Sequence, residues 1–325
     1  MTRTVLESKT KTVVIGFDEP FCVIGERINP SGRAKLSEAL ERGDFSTVEA
    51  EARAQVACGA TVLDVNSGAV FRNRMAEDPR YADNNFSEPP LMRDLVTRVQ
   101  GVVDVPLCID SSVTGAIEAA LEVVEGRPLV NSTTGEDDKM EAILPLCAKH
   151  DLPVVAISND ETGISEDPDI RFAVAKRIVE RAADHGVRAH DVVVDPLVMP
   201  VGAMASAGRQ VFALVRRLRE ELGVNTTCGA SNVSFGLPNR HGLGAAFLPM
   251  AMGAGMTSAI MNPLRMEEME AVKAANLLLE RDPSGADWIG FARVAEAVRG
   301  GTGFPDAAQA AAQGGGRRGG RRRRG

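Results

Sequence analysis

The chain has 325 residues, 44% hydrophobic and 25% charged, enough to bury the core of one large α/β domain. Its five cysteines, Cys22, Cys58, Cys108, Cys147 and Cys228, are odd in number, well separated and form no C-x-x-C pair. That usage disfavours a disulfide framework or a zinc ribbon and fits a reducing cytoplasm. The charged start (Arg3, Glu7, Lys9, Lys11) has no apolar run behind it, and no segment reaches the roughly 18 apolar residues of a membrane span, so secretion and membrane insertion are both disfavoured.

In chain order, residues 10–17, with Asp18-Glu19-Pro20 after them, read as a hairpin strand capping the barrel floor, within an N-terminal extension over residues 1–20. Short apolar runs ending in polar residues then recur at 21–25, 61–65, 107–110, 129–131, 154–157, 192–195, 225–229 and 257–260. Between them lie segments with helical spacing at 45–58, 91–102, 114–124, 139–150, 169–185, 206–222, 242–252 and 267–280. Eight strands alternating with helices predict an α/β fold with a parallel sheet closed into a (β/α)8 TIM barrel over residues 21–300. Residues 67–90, rich in charge, Asn and Pro, form a long connection after the second barrel strand: a lid, a partner surface or a tolerated insertion.

A doubly wound open sheet is the alternative architecture, and it calls for a glycine-rich phosphate turn early in the chain. Gly25-Glu26-Arg27-Ile28-Asn29-Pro30 is not G-x-G-x-x-G, and no G-x-x-x-x-G-K-[ST] occurs. Past about Ala307 apolar periodicity ends, and residues 301–325 read as a disordered Arg/Gly-rich tail. Six arginines in the last nine residues, Arg317, Arg318, Arg321, Arg322, Arg323 and Arg324, mask the acidity of the rest: removing them takes the formal charge from −7 to −13. Phosphate attraction alone supports a nucleic-acid role for this tail, and with no aromatic residue interleaved, a solvated electrostatic tail is the better reading.

Side chains leaving a barrel strand at its C-terminal end point into a shared mouth, where chemistry is usually done. Four strand-like runs here end in small polar residues: Asp110-Ser111-Ser112, Asn131-Ser132-Thr133, Asp195-Pro196, and Gly229-Ala230-Ser231-Asn232-Val233-Ser234-Phe235. Asp110, Asn131, Asp195 and Asn232 therefore form a candidate constellation. Carboxylates accept two parallel N–H bonds from an amino-pyrimidinone edge, and an amide satisfies a neighbouring ring nitrogen or carbonyl. Taken singly, each Asp reads as a helix cap or a turn residue; four polar strand ends together suit a flat heterocycle better. The competing metal site finds no ligand spacing among His150, His185, His190 and His241, so no metal is expected. A carboxylate pair for glycoside hydrolysis is weakly supported, because only 4% of residues are aromatic and sugar platforms need them.

In order, Gly25-Glu26-Arg27-Ile28-Asn29, Leu63-Asp64-Val65-Asn66, Asp110-Ser111, Val130-Asn131-Ser132, Asp195-Pro196 and Ser231-Asn232-Val233-Ser234 resemble the motifs of the pterin-binding barrel family. Within it, the chain resembles methyltetrahydrofolate:corrinoid protein methyltransferases and is similar to the folate module of cobalamin-dependent methionine synthase. The resemblance implies a barrel that binds methyltetrahydrofolate as substrate and exchanges its N5 methyl group with the cobalt of a corrinoid (cobalamin) carried by a partner protein, usually as a homodimer. By position, Asp110, Asn131 and Asp195 would hold the pterin edge, and Asn232 would stand near N5 as the catalytic hydrogen-bond donor. Gly229, Ser231 and Ile260 would line the ring, with Arg240, of the pair Asn239-Arg240, close to the folate. Glu26, Asn29, Asp64 and Asn66 would be rim residues or supports. The leaving-group chemistry agrees for Asn232: a departing amide-like anion at N5 needs a hydrogen bond that strengthens in the transition state. No D-x-H-x-x-G corrinoid lower-ligand motif is present. Dihydropteroate synthase is the rival in the same fold, but its Ser-Arg-Lys motif and its Arg-x-His pattern near the C-terminal end are not found, and Ser231-Asn232-Val233-Ser234 stands where the lysine motif is expected. A non-catalytic folate-binding protein is the remaining alternative.

Overall fold

The computed structural model of the protein describes residues 2–68, 70, 75 and 78–299. The predicted tail and several positions between residues 69 and 77 lie outside the described residues. Strands β1 (Arg3–Glu7) and β2 (Thr12–Gly16) form an antiparallel hairpin. An eight-stranded parallel sheet comes next, made of β3 (Cys22–Ile28), β4 (Val62–Asn66), β5 (Leu107–Asp110), β6 (Leu129–Thr134), β7 (Val154–Ile157), β8 (Val192–Asp195), β9 (Asn225–Thr226) and β10 (Ser258–Met261). Strand β10 pairs with β3, and the ring closes where Gly229 bridges Ile260 and the Ile260 N–H donates to the Cys228 carbonyl at 2.8 Å.

The helices are α1 (Ala34–Glu41), α2 (Ser46–Ala57), α3 (Asn84–Gln100), α4 (Thr114–Leu121), α5 (Asp137–His150), α6 (Pro168–Asp184), α7 (Ala207–Arg217), α8 (Arg240–Ala254), α9 (Met266–Leu278) and α10 (Ala286–Arg299). Two of the helix starts, those of α3 and α6, carry a side-chain cap. At α6, Pro168 occupies the first turn, where no N–H is needed, and Asp167 accepts the Asp169 N–H at 2.8 Å as the cap. A π-helical turn over Leu218–Leu222 extends α7 to Gly223, whose positive φ of 64° ends it.

Successive strand side chains face opposite ways, and the sequence uses that alternation to build two cores. Leu63, Val65, Leu107, Ile109, Val130, Val154, Val192 and Val194 pack outward against the helices. Cys22, Ile24, Val62, Cys108, Leu129, Val155 and Val193 point inward and meet Leu6 and Ile15 of the hairpin, which plugs the barrel floor as its sequence suggests. Asn225 fastens the plug: its side-chain amide donates to Thr4 Oγ1 at 2.9 Å and to the Ile15 carbonyl at 2.8 Å.

Several boundaries differ from the sequence reading; β3, for one, runs on to Ile28 rather than ending at residue 25. The connection after β4 ends at residue 83 rather than 90, because Asp83 caps α3 by accepting the Asn85 N–H at 3.0 Å. Pro89 and Pro90 lie early in that helix, so their missing N–H groups leave only the Asn85 and Phe86 carbonyls without an i−4 donor. Strand β9 stops at Thr226, short of Gly229, and the chain enters a 3-10 turn over Ala230–Ser234. Helices α1 and α10 were not anticipated; α1 is short and buries only one edge, through Leu36, Ala39 and Leu40.

Candidate active site at the barrel mouth

The inward parity that gives β3 Cys22 and Ile24 puts Glu26 at its upper end; Val62 is followed by Asp64 and Asn66, Cys108 by Asp110, Leu129 by Asn131 and Val193 by Asp195. A single register thus carries apolar residues in the floor and polar ones at the mouth. Neighbouring strands bring these ends side by side, with Asn66 opposite Asp110 and Asp110 opposite Asn131.

Two connected groups result. In the first, the Asn66 amide donates to Asp110 Oδ2 at 2.8 Å while its Oδ1 accepts the Gly68 N–H at 2.8 Å, which fixes the amide orientation. Asn131 Nδ2 donates to Asp64 Oδ1 at 3.4 Å. Asp64, only 2% exposed, is hydrogen-bonded to Asp110. Burial, and then the neighbouring Asp110 charge, push Asp64 well above the usual carboxylate range. Asp110 is also raised by burial but is pulled back by donors from Asn66 and Asp64. Asp64 thus holds a proton more tightly than Asp110 does, because it is the more deeply buried and faces the Asp110 charge.

The second group surrounds the turn after β9. Ser231 Oγ donates to Glu26 Oε1 at 3.3 Å, and Arg240 Nη2 donates to the Ser231 carbonyl at 2.7 Å. Arg240 Nε reaches Ser234 Oγ at 3.3 Å, and its guanidinium lies 5.6 Å from the centroid of the exposed Phe235 ring. Asn232 is exposed at the crest of this turn. A Cβ on Gly229 would come within 3.1 Å of Asn232 Nδ2, so glycine leaves the amide its place. Ile260 adjoins Gly229 across the strand bridge that closes the barrel.

Asp195 belongs to neither group. Its Oδ1 accepts the Leu197 N–H at 2.8 Å, and among the described residues no side chain bonds its other oxygen. Burial lifts its carboxyl to about 6, against the Leu197 N–H, which lowers it. A half-buried carboxylate with a free edge suits a ligand that brings paired N–H donors. Asn29 stands apart: its Oδ1 accepts the Ser31 N–H at 2.9 Å in a local turn and it bonds none of the other candidate residues.

Three residues at the mouth escaped the sequence reading. Glu88 accepts from Ser111 Oγ at 3.0 Å, and it lies on α3, in the stretch whose Pro89 and Pro90 read as loop in the sequence. Glu268 and His241 face each other at 3.1 Å, the Glu268 charge acting on Glu26; they come from the first turns of α9 and α8, and nothing in their spacing connects them. Among the described residues no group of three His, Cys, Asp or Glu side chains is arranged to hold a metal ion, and no helix is long and apolar enough to cross a membrane.

A closed parallel barrel with carboxylates and amides gathered at its strand ends is a barrel enzyme of the pterin-binding class, and the chain belongs to the family of pterin binding enzymes, whose sequence profile matches residues 25–262. It is 31% identical over 263 residues to the methylcorrinoid:tetrahydrofolate methyltransferase of Eubacterium limosum, an alignment covering 80% of this chain and 92% of that protein. It is 28% identical over 268 residues to methionine synthase of Mycobacterium tuberculosis, covering 78% of this chain but 21% of that much longer protein. Dihydropteroate synthases share the fold: that of Xanthomonas albilineans superposes with a TM-score of 0.60 at 19% identity, covering 85% of this chain and 98% of its own. The Yersinia pestis enzyme gives 0.59 at 16% identity, with the same coverage.

Proposed function

We propose that this protein is a methyltransferase that moves the N5 methyl group between methyltetrahydrofolate and the cobalt of a corrinoid held by a partner protein, working as a homodimer in the cytoplasm. The observation that carries the reading is the set of strand ends: the carboxyl of Asp110, the amide of Asn131 and the open carboxyl edge of Asp195, all facing the same mouth. Asp195 and Asp110 would accept N–H groups of the pterin's polar edge, and Asn131 would complete it with its donor and acceptor. Gly229, Ser231 and Ile260 would lie along the ring, and Arg240 holds the Ser231–Ser234 segment in place beside it.

Asn232 takes the reacting end. Its exposed amide stands over Gly229, where it can hydrogen-bond N5 as charge develops there. Cobalt in the Co(I) state supplies the nucleophile, so the chain needs none of its own. Its free cysteines agree, since all are buried and burial pushes Cys22 and Cys147 to about 12. The family kinship with the Eubacterium limosum methyltransferase supports the methyl-transfer chemistry.

The test mixes the protein with methyltetrahydrofolate and Co(I) cobalamin under anaerobic conditions and tracks the cobalt absorption. Conversion to methyl-Co(III) supports the reading, as does conversion seen only with a corrinoid protein supplied. Absence of both, with no binding of the pterin, would sink it.

A further inference from the structure

The proposed transfer has a proton balance that Asn232 cannot meet. When the C–N5 bond breaks, its electron pair stays on nitrogen while the Co(I) lone pair forms the new Co–C bond; neutral tetrahydrofolate results only when N5 also gains a proton. An amide strengthens a hydrogen bond to N5 but keeps its own protons at ordinary pH, so the proton has another source. In the opposite direction the N5 proton of tetrahydrofolate needs an acceptor.

Glu26 sits where such a group is needed. It ends the inward face of β3, and Ser231 Oγ, one residue before Asn232, lies 3.3 and 3.5 Å from its two oxygens. A hydroxyl both accepts and donates, so Ser231 can pass a proton along the turn. Glu268, buried on α9, lies close enough to Glu26 for its charge to act on that carboxyl, and it is bonded at 3.1 Å to Nδ1 of His241, whose side chain is 42% exposed. A line of titratable groups thus runs from solvent to the residue beside Asn232.

We propose that Glu26 is the proton store of this reaction, protonating N5 by way of Ser231 or a water at its hydroxyl, and that Glu268 and His241 reload it from solvent. The proposal rests on the methyltransferase reading. In the reverse transfer Glu26 receives the N5 proton and the same line discharges it.

The surroundings hold the proton on Glu26 more tightly than on an exposed glutamate. Burial is the largest influence on Glu26 and raises it, and Glu268 raises it further; the Ser231 hydroxyl, Arg27 on the same strand and Arg240 on α8 lower it. Glu268 is itself raised by burial and lowered by His241 and Arg265.

The experiment is single-turnover methyl transfer from methyltetrahydrofolate to Co(I) cobalamin, or to a Co(I) corrinoid protein, from mildly acid to mildly alkaline pH, with folate affinity measured on the same samples. Wild type should slow as pH rises through the Glu26 titration. E26Q should be slower by roughly 10²-fold, the lower range for a lost general acid, with that pH limb gone and folate affinity unchanged. E268Q should keep the limb but move it to lower pH, because a like charge has been removed. An E26Q protein with the wild-type rate and pH profile overturns the proposal, and so does an E26Q protein that loses affinity in proportion to rate, since Glu26 would then be a packing residue. A wild type that transfers no methyl group to either acceptor overturns the methyltransferase reading and this proposal together, whereas transfer indifferent to Glu26 overturns this proposal alone.

Discussion

Asn66 and Asp110 stand opposite each other on adjacent strands, and the Asn66 amide donates to Asp110 Oδ2 at 2.8 Å. Gly68 holds the other end of the same amide, so the donor cannot flip away. Together with the bond from Asp64, this draws the Asp110 carboxyl back toward its ordinary range, while burial and the Asp110 charge push Asp64 well above it.

Asparagine is a fair copy of a protonated aspartic acid in size and in having a donor and an acceptor. Asp64→Asn should therefore retain pterin binding within a few-fold. Asp64→Ala leaves Asp110 without that donor and should weaken binding by roughly tenfold to a hundredfold, as expected for about 1.5–3 kcal/mol in a hydrogen bond to a charged group. Calorimetric titration with methyltetrahydrofolate checks both. Equal losses in the two variants would mean that Asp64 works as an anion.

Asp195 gives a pH signature with a definite sign. Its carboxyl is lifted to about 6, so the folded state holds the proton more tightly than the unfolded chain does. Its contribution favours folding at low pH and is lost as pH rises through about 6, where the buried charge forms. A ligand that supplies N–H donors needs that charge. Pterin affinity should fall as pH drops below about 6, with proton release on binding in that range, and Asp195→Asn should bind weakly at every pH while unfolding at a higher urea concentration than wild type at neutral pH. Titrations in buffers of different ionisation enthalpy would expose the released proton. Pterin affinity that is flat across this range would remove Asp195 from the ligand contacts.

The barrel was legible because its strands combine two signals, a β-branched apolar run and an abrupt polar end, and both survive in a single sequence. Val192, Val193 and Val194 before Asp195 are an example: alternating faces are buried whichever way the strand turns, so only the final polar residue sets the register. The pairing of Glu268 with His241 was not legible, since it depends on how far α8 and α9 rotate about their axes. The close approach of Gly244 to Glu268 reflects that packing: a Cβ there would meet Glu268 Oε1 at 2.6 Å. Glu88 was missed for a different reason, because Pro89 and Pro90 read as breakers where the helix tolerates them near its start.

Asn232 should separate binding from chemistry. Its amide is exposed on a turn braced independently by Arg240 and Ser231, so truncation removes a donor without disturbing the fold. Asn232→Ala is expected to bind methyltetrahydrofolate nearly as well as wild type and to lose roughly 10²–10³ in methyl-transfer rate, the usual cost of one donor aimed at developing charge. Rapid-mixing spectroscopy of Co(I) consumption reads the rate and fluorescence quenching reads affinity. Parallel losses in the two would make Asn232 a binding residue.

The hairpin makes a prediction about stability that is independent of the mouth. Ile15 is fully buried, packed with Leu6 against the inward side chains of the barrel strands, and its carbonyl accepts from Asn225. Ile15→Ala removes three carbons from a layer that cannot collapse, because the closed sheet around it holds its diameter, so the cavity term adds to the lost burial. A cost of about 2–5 kcal/mol is expected, read as a lower urea midpoint at unchanged slope. Folate affinity should stay at the wild-type value, since the polar ends lie at the opposite end of the strands. A cost below about 1 kcal/mol would show instead that the hairpin opens from the floor without unfolding the barrel, as a locally unstable element does.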